Sequence, residues 1–484
     1  LGLIDAQVES TRRFATTQIA NFQQRLERLH RGGGGEQNGL AFTSDPRCLE
    51  PLMGRTLDGC AANDDSTRGL RNGVDGGGAN ADGEGDASRW GAWVGGMIRS
   101  ATLDGRAGRA DLDFETDGLS AGDVSTVSVD HAVSIEPFLA DQIEVLKGPA
   151  TLLYGSGAIG GAVNVIDGRV PVAATAQPLQ GRAEFRTGSV NDEKTGMVRL
   201  DGTSASGHLV FHFDALHRET GDYDIPGHAE SARLMAEHGE VPDPSEEGTM
   251  PNSFVRTDSG ALGMSWVGDR GFVGVGYSLF NSRYGIPGGG HGHEEEAPVG
   301  EEEPDAHGNG VSINMDQRRT ELRAGLNEVG VFQSLRAKVA RTEYTHTEFE
   351  GPGEVGTVFD ATSIEARAEL VQNAEGTLRG STGLQYTHRD FFAEGAEAYV
   401  PPNLTDQVAL FTLQEWGTGP FQIEAAARAE FTKVEAQTLG IERDFDTFSG
   451  ALGVVYEGID GIRVGINGSR AERAPSAEEL FSNG

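Results

Sequence analysis

The sequence predicts an all-β chain whose main body is a membrane-spanning antiparallel β-barrel. Three observations carry this. Apolar residues recur with a period of two over many successive segments from Gly181 onward. The apolar positions are often only Ala or Gly, which would fill a sandwich core poorly. Long acidic connections alternate with short turns such as Glu457-Gly458-Ile459-Asp460-Gly461, the asymmetry expected between the two ends of a membrane barrel.

The clearest segment sets Phe421, Ile423, Ala425, Ala427, Ala429 and Phe431 against Gln422, Glu424, Arg428 and Glu430. Ile364, Ala366, Ala368 and Leu370 oppose Glu365, Arg367 and Glu369 in the same way. Leu209, Phe211, Phe213 and Ala215 oppose His208, His212 and Asp214, and Val273, Val275, Tyr277, Leu279 and Ile462, Val464, Ile466 extend the series. Each set lies on one side of a sheet. In a barrel that side meets lipid and the charged side a wet lumen, which places Phe421, Ile423, Phe431 and Ile364 outward.

Composition agrees. Lys plus Arg is 39 against 74 Asp plus Glu, a formal charge of −35 that repels nucleic-acid phosphates and suits cations. Gly is 70 of 484 residues with 7% aromatics, a mixture expected of turn-rich β structure or flexible loops. No stretch approaches the roughly 20 apolar residues of a membrane-spanning helix, which does not exclude a barrel. The chain starts at Leu1 with no Met and no signal peptide, as a mature or cut form would. Cys48 and Cys60 lie in one loop-like stretch and could close a small disulfide loop in an oxidising envelope compartment.

Ahead of the barrel, Ala6 to His30 reads as a helix, with Ile19, Phe22, Leu26 and Leu29 at helical spacing and Gly32 to Gly35 ending it. Gly33 to Ser88 reads as loop or disorder. RWGAWVGGMIRSA (Arg89 to Ala101) and ADLDFETDGLSAG (Ala110 to Gly122) read as strands. This opening resembles the C-terminal translocator domain of autotransporters. IEPFLADQIEVLKGPATLLYGSGAIGGAVNVI then gives short strands around Lys147-Gly148-Pro149, with glycines allowing close backbone approach. It lacks G-x-x-x-x-G-K-[ST], so it is not a phosphate loop. Its wording closely matches the end of the plug domain of TonB-dependent receptors, the small domain inside the barrel.

The resemblances imply three parts: 1–122 autotransporter-like, 123–180 the C-terminal part of a plug, and 181–484 the N-terminal part of a receptor barrel. About a dozen strands are expected against about 22 in plugged transporters, and RAPSAEELFSNG lies well inside the barrel in that family, so an incomplete barrel with a partial plug is expected. The resemblance further implies an outer-membrane location, the TonB energy-transducing complex and outer-membrane lipid as partners, and no enzymatic activity. H-E-x-x-H, G-x-S-x-G and P-loop patterns are all missing.

Chemistry concentrates in YGIPGGGHGHEEEAPVGEEEPDAHGNG (Tyr284 to Gly310). His291, His293 and His307 with Glu294, Glu295 and Glu296 combine imidazole and carboxylate donors suited to zinc and related divalent metals. A solvated acidic loop with incidental histidines is the competing reading. The segment resembles the His- and acid-rich extracellular loop of zinc-uptake receptors in the same family, with their YGIPG-like lead-in. A transported metal ion, zinc favoured, is therefore the expected ligand, with no tightly bound cofactor. Binding by this loop should weaken as pH falls through the histidine range near ~6.5. His208 and His212 are expected at the lumen, with His217, Asp222, Asp224, His228 and His238 in the next loop, as lining or as a weaker relay. A siderophore receptor of the same class, and an autotransporter-type translocator, are the alternative functions.

Overall fold

The computed structural model describes residues 41–43, 112–116, 119–120, 122–125, 131–146 and 148–482, apart from 156–157, 159–160, 230–232, 234–246, 288–309, 352, 373–376, 396–397 and 460–461. The expected helix Ala6–His30, the strand Arg89–Ala101, Cys48 and Cys60 lie outside the described residues.

The wall is a thirteen-stranded antiparallel meander among the described residues. Its strands are β6 (Leu179–Gly188), β7 (Glu193–Thr203), β8 (Leu209–Thr220), β11 (Val255–Gly268), β12 (Gly271–Gly285), β13 (Ser312–Val329), β14 (Phe332–Gly351), β15 (Glu354–Val371), β16 (Leu378–Gly395), β17 (Asn403–Thr418), β18 (Phe421–Ala436), β19 (Ile441–Ile459) and β20 (Ile462–Arg470). Two short strands, β9 (Tyr223–Asp224) and β10 (Thr249–Met250), pair as a ribbon between β8 and β11. Each wall strand pairs with the next, and β6 and β20 stand at the two edges.

Period two in the sequence becomes inside and outside in the wall. On β18, Arg428 and Glu430 are each 1% exposed while Phe431 is 51% exposed. Phe421 and Ile364 are also exposed, and Ile423 is half-buried on the same side. A soluble sheet would reverse these values, because an ionised pair is buried only against partners and a large apolar side chain is left out only where the surroundings are apolar. No second sheet covers the outward side among the described residues, which rules out a sandwich.

A spanning strand needs about 9–11 residues, yet β14 has 20 and β19 has 19. Their surplus lies toward the end where the longer connections 221–254 and 286–311 emerge, so that end rises above the bilayer. The opposite end carries short turns such as 269–270 and 330–331.

Inside the wall sits a five-stranded mixed sheet in the order β1 (Ala41–Thr43), β4 (Gln142–Leu146), β5 (Gly161–Ile166), β2 (Leu112–Thr116), β3 (Leu119–Ser120). Two results differ from the sequence reading. The stretch Ala110–Gly122, read as one strand, forms β2 and β3, and β2 runs parallel to β5 within the plug sheet. Ala41–Thr43, within a stretch read as loop, is a strand parallel to β4. Pairing with the plug supplied both with ladder partners that local pattern could not reveal.

Wall side chains fasten the plug. Arg319 donates from Nη1 to the Ser120 carbonyl at 2.8 Å, and the Ser120 amide donates to Glu365 at 2.8 Å. Arg218 forks onto Glu136 at 2.9 and 3.1 Å. Arg367 donates to the Leu153 carbonyl at 2.6 Å, and Arg169, leaving the plug, forks onto Asp214 at 3.1 and 3.2 Å. Forked guanidinium–carboxylate contacts fix orientation as well as position.

Candidate metal site

On β14 the alternation Tyr344, His346, Glu348 sends three polar side chains to the lumen, near the end that rises above the bilayer. From the plug, His131 meets them. His131 Nε2 lies 2.9 Å from Glu348 Oε1, and His346 Nε2 lies 3.5 Å from the same oxygen. The two imidazole centroids are 4.1 Å apart. One ligand atom from each of the three residues falls within 4.8 Å of the others, and all three residues are buried.

Both rings are oriented from behind. His131 Nδ1 is 3.0 Å from the Val124 carbonyl, an acceptor only, so that nitrogen carries a proton and Nε2 faces the cluster. His346 Nδ1 is 2.9 Å from the Tyr344 hydroxyl. Phe359 on β15 stands edge-on to both rings, at 5.3 and 5.5 Å. Val124, Tyr284, Ile313, Met315 and Phe391 complete an apolar shell. Two imidazoles and a carboxylate in a buried pocket are a donor set for zinc or a related divalent transition metal, and a hydrogen bond behind each ring is the usual support for such ligands.

His291, His293, Glu294, Glu295, Glu296 and His307 lie outside the described residues. The legs of their segment are described. Ile286 donates to the Val311 carbonyl at 2.9 Å, and Asn252 Nδ2 donates to the carbonyls of both, at 3.0 and 2.8 Å. Tyr284, near the end of β12, accepts the Ala132 amide at its hydroxyl at 2.9 Å, next to His131.

The second expected group does not assemble. His212 is buried, with Asp201 2.7 Å from Nδ1 and Asp214 2.8 Å from Nε2. His217 belongs to β8 rather than to the following loop, and it faces outward against Asp258 at 2.6 Å. The period continues to Thr220, which carries His217 to the opposite side from His212. His208 is exposed, stacked on Trp266 at 5.8 Å, not lumenal. Asp222 accepts the Ser253 amide, and Asp224 belongs to β9. His238 lies outside the described residues.

His131, His346 and Glu348 were not singled out from sequence. His131 and His346 are 215 positions apart, counting from their numbers. The usable signal was His346-x-Glu348 within an alternating strand, which puts two donors on one face.

A β-wall with a polar lumen, a plug sheet inside it and a metal-type donor set between the two define a class of fold: a plugged membrane β-barrel. Comparison with known proteins agrees. Residues 66–162 match the TonB-dependent receptor plug domain, and residues 251–484 match the TonB-dependent receptor-like β-barrel. Over 70 residues, 14% of this chain and 9% of the relative, it is 41% identical to the probable TonB-dependent siderophore receptor PirA of Acinetobacter baumannii. Its fold is similar to the copper transporter OprC, with a TM-score of 0.59 and 15% identity over 76% of this chain and 56% of that one. It is similar also to the FrpB iron transporter of Neisseria meningitidis, with a TM-score of 0.54 and 15% identity over 72% and 54% of the two chains.

With plug and barrel both matched, the chain belongs to the TonB-dependent receptor family. It spans less than a tenth of the curated relative and a little over half of these solved structures. The plug match begins at residue 66 and so includes Arg89–Ala101 and Ala110–Gly122, which the sequence reading grouped with an autotransporter translocator.

Proposed function

We propose that the protein is an outer-membrane receptor for active uptake of a divalent metal ion, zinc favoured, driven through the TonB complex. The observation that carries this reading is the buried His131, His346 and Glu348 cluster, whose donors come from both plug and wall. Cargo held there would bridge the part that must move to the part that stays. The segment carrying His291, His293, Glu294, Glu295, Glu296 and His307 leaves the wall beside it, at Tyr284 and Ile313, two members of the cluster's apolar shell. In this reading the acidic segment gathers cations and the buried cluster selects among them by imidazole coordination.

The test is zinc titration by calorimetry on the purified protein in detergent. Saturable binding should be lost in His346→Ala and weakened in Glu348→Gln. The His291→Ala, His293→Ala pair should reduce binding more than loss of two of Glu301 to Glu303. Wild-type binding unchanged by His346→Ala would overturn the cluster as the cargo site.

A siderophore receptor is the second reading, favoured by what the matched curated relatives are named for. It expects a ferric siderophore, and not zinc, to compete for the lumen. The autotransporter-type translocator, together with the 1–122 boundary it implied, is the third. The 112–120 strands in the plug sheet and the plug match from residue 66 speak against it.

A further inference from the structure

The wall ligands His346 and Glu348 are fixed by the β14 ladder. The plug ligand has no such frame, because His131 lies outside every plug strand. Something else must hold it to the tolerance that coordination demands, about half an ångström.

Asp123 stands where that frame is needed. Its Oδ1 accepts from the Ser125 amide at 3.1 Å and the Ser125 hydroxyl at 2.6 Å. Its Oδ2 accepts from the Ser134 amide and the Ser134 hydroxyl, both at 2.9 Å. One carboxylate thus joins the two ends of the segment that carries His131, residue 125 on one side and residue 134 on the other. Between Asp123 and Ser125, Val124 supplies the carbonyl that orients the His131 ring, and its side chain is fully buried in the apolar shell. The clamp is also tied to the wall, since Gln317 on β13 donates to the Ser134 hydroxyl at 2.6 Å.

We propose that Asp123 is a positioning residue of the metal site: by tying Ser125 to Ser134 it presents His131 Nε2 to His346 and Glu348. This rests on the reading of the cluster as a metal site. A carboxylate suits the task because it alone offers acceptor capacity for four donors with no competing donor of its own. Charge-assisted bonds to backbone amides are also stronger than neutral ones. Gln317 then sets the clamp's height against the wall, so plug and wall ligands share one frame.

The experiment uses the purified protein in detergent, zinc for affinity and cobalt(II) for the visible spectrum of the coordinated ion. Asp123→Ala should weaken zinc binding by about 10- to 100-fold, the usual effect of removing a support behind a metal ligand. Its cobalt(II) spectrum should match that of His131→Ala, because both lose the same imidazole. Combining the two substitutions should add nothing further. Asp123→Asn should fall between, since an amide accepts through one oxygen only. If Asp123→Ala does not fold, Ser134→Ala and Gln317→Ala decide, each predicted to shift the cobalt(II) spectrum toward that of His131→Ala with an unchanged melting temperature. Wild-type affinity in Asp123→Ala, or a loss that adds to that of His131→Ala, overturns the proposal while leaving the site intact. An absence of zinc binding in the wild-type protein overturns both the site and its positioning residue, and so separates the two failures.

Discussion

Gly263 faces the lumen on β11, where an added Cβ would lie 1.7 Å from the carbonyl oxygen of Arg169 in the segment leaving the plug. Backbone cannot yield to that contact as a flexible side chain would. Gly263→Ala should therefore push 167–170 off the wall and disturb the Arg169–Asp214 fork, at a cost of about 1–3 kcal/mol for overpacking. Gly196→Ala faces outward with nothing within 4 Å and should stay within about 0.5 kcal/mol of wild type. Urea midpoints of the two variants check the contrast; equal midpoints would mean that the exit segment moves freely. Such residue-scale facts were the least legible in the sequence. A glycine run announces freedom but not which carbonyl it admits. The donors of the metal site were hidden for the same reason, since His131 and His346 meet only through the fold, whereas the local density of His and Glu after Tyr284 drew attention to itself.

Elements were far more legible, because a strand with one lipid face and one lumen face must write its orientation into alternate residues. Every apolar set named on β8, β12, β15 and β18 faces outward or is half-buried on that side. What the period could not supply was strand length, since polar outward residues such as Asp258, Asn281 and Asp316 break the apolar pattern while the ladder continues past them. For the same reason the sequence pattern reads His217 as loop, although it lies on β8. The lipid face gives a quantitative expectation. Ala427, midway along β18, faces outward, and Arg there should cost roughly 2–4 kcal/mol on insertion near the bilayer midplane. Gln at Thr432, on the lumen side near the rim, should cost far less. Insertion into lipid vesicles, read as the folded fraction on a gel without heating, should drop for Ala427→Arg alone. Equal yields would contradict the assignment of the outer face.

For the molecule as a whole, plug and wall meet through two kinds of contact, and their relative weight decides how the plug can be moved. One kind is apolar, as where Leu139 packs against Met197 and Leu216. The other is ionic, as where Arg218 forks onto Glu136 and Arg199 reaches Asp141 at 3.0 Å. These contacts sit on neighbouring strands β7 and β8 and hold the same plug stretch, 136–141. Burial makes the ionic kind asymmetric. Removing one partner leaves the other charge desolvated and uncompensated, a cost of about 3–5 kcal/mol for a buried pair, whereas an exposed pair is worth about 0–1 kcal/mol. Glu136 is almost fully buried at its carboxylate, while Asp141 is half open, so Arg218 should matter more than Arg199. The double variant Arg199→Gln, Arg218→Gln should loosen the plug without touching the outer face. A protease that cuts after glutamate reads this directly, because Glu144 in the plug sheet is 1% exposed. The wild-type chain should resist cleavage there in detergent, Arg218→Gln should be cut slowly, and the double variant fastest. Arg341→Gln, whose guanidinium faces outward to Glu343 at 2.7 Å, should be protected like wild type. If the double variant keeps full protection, the packing of Leu139 and the ties made by Arg169, Arg319 and Arg367 hold the plug without the 136–141 ion pairs, and a pull on it would not be released by exchanging those pairs.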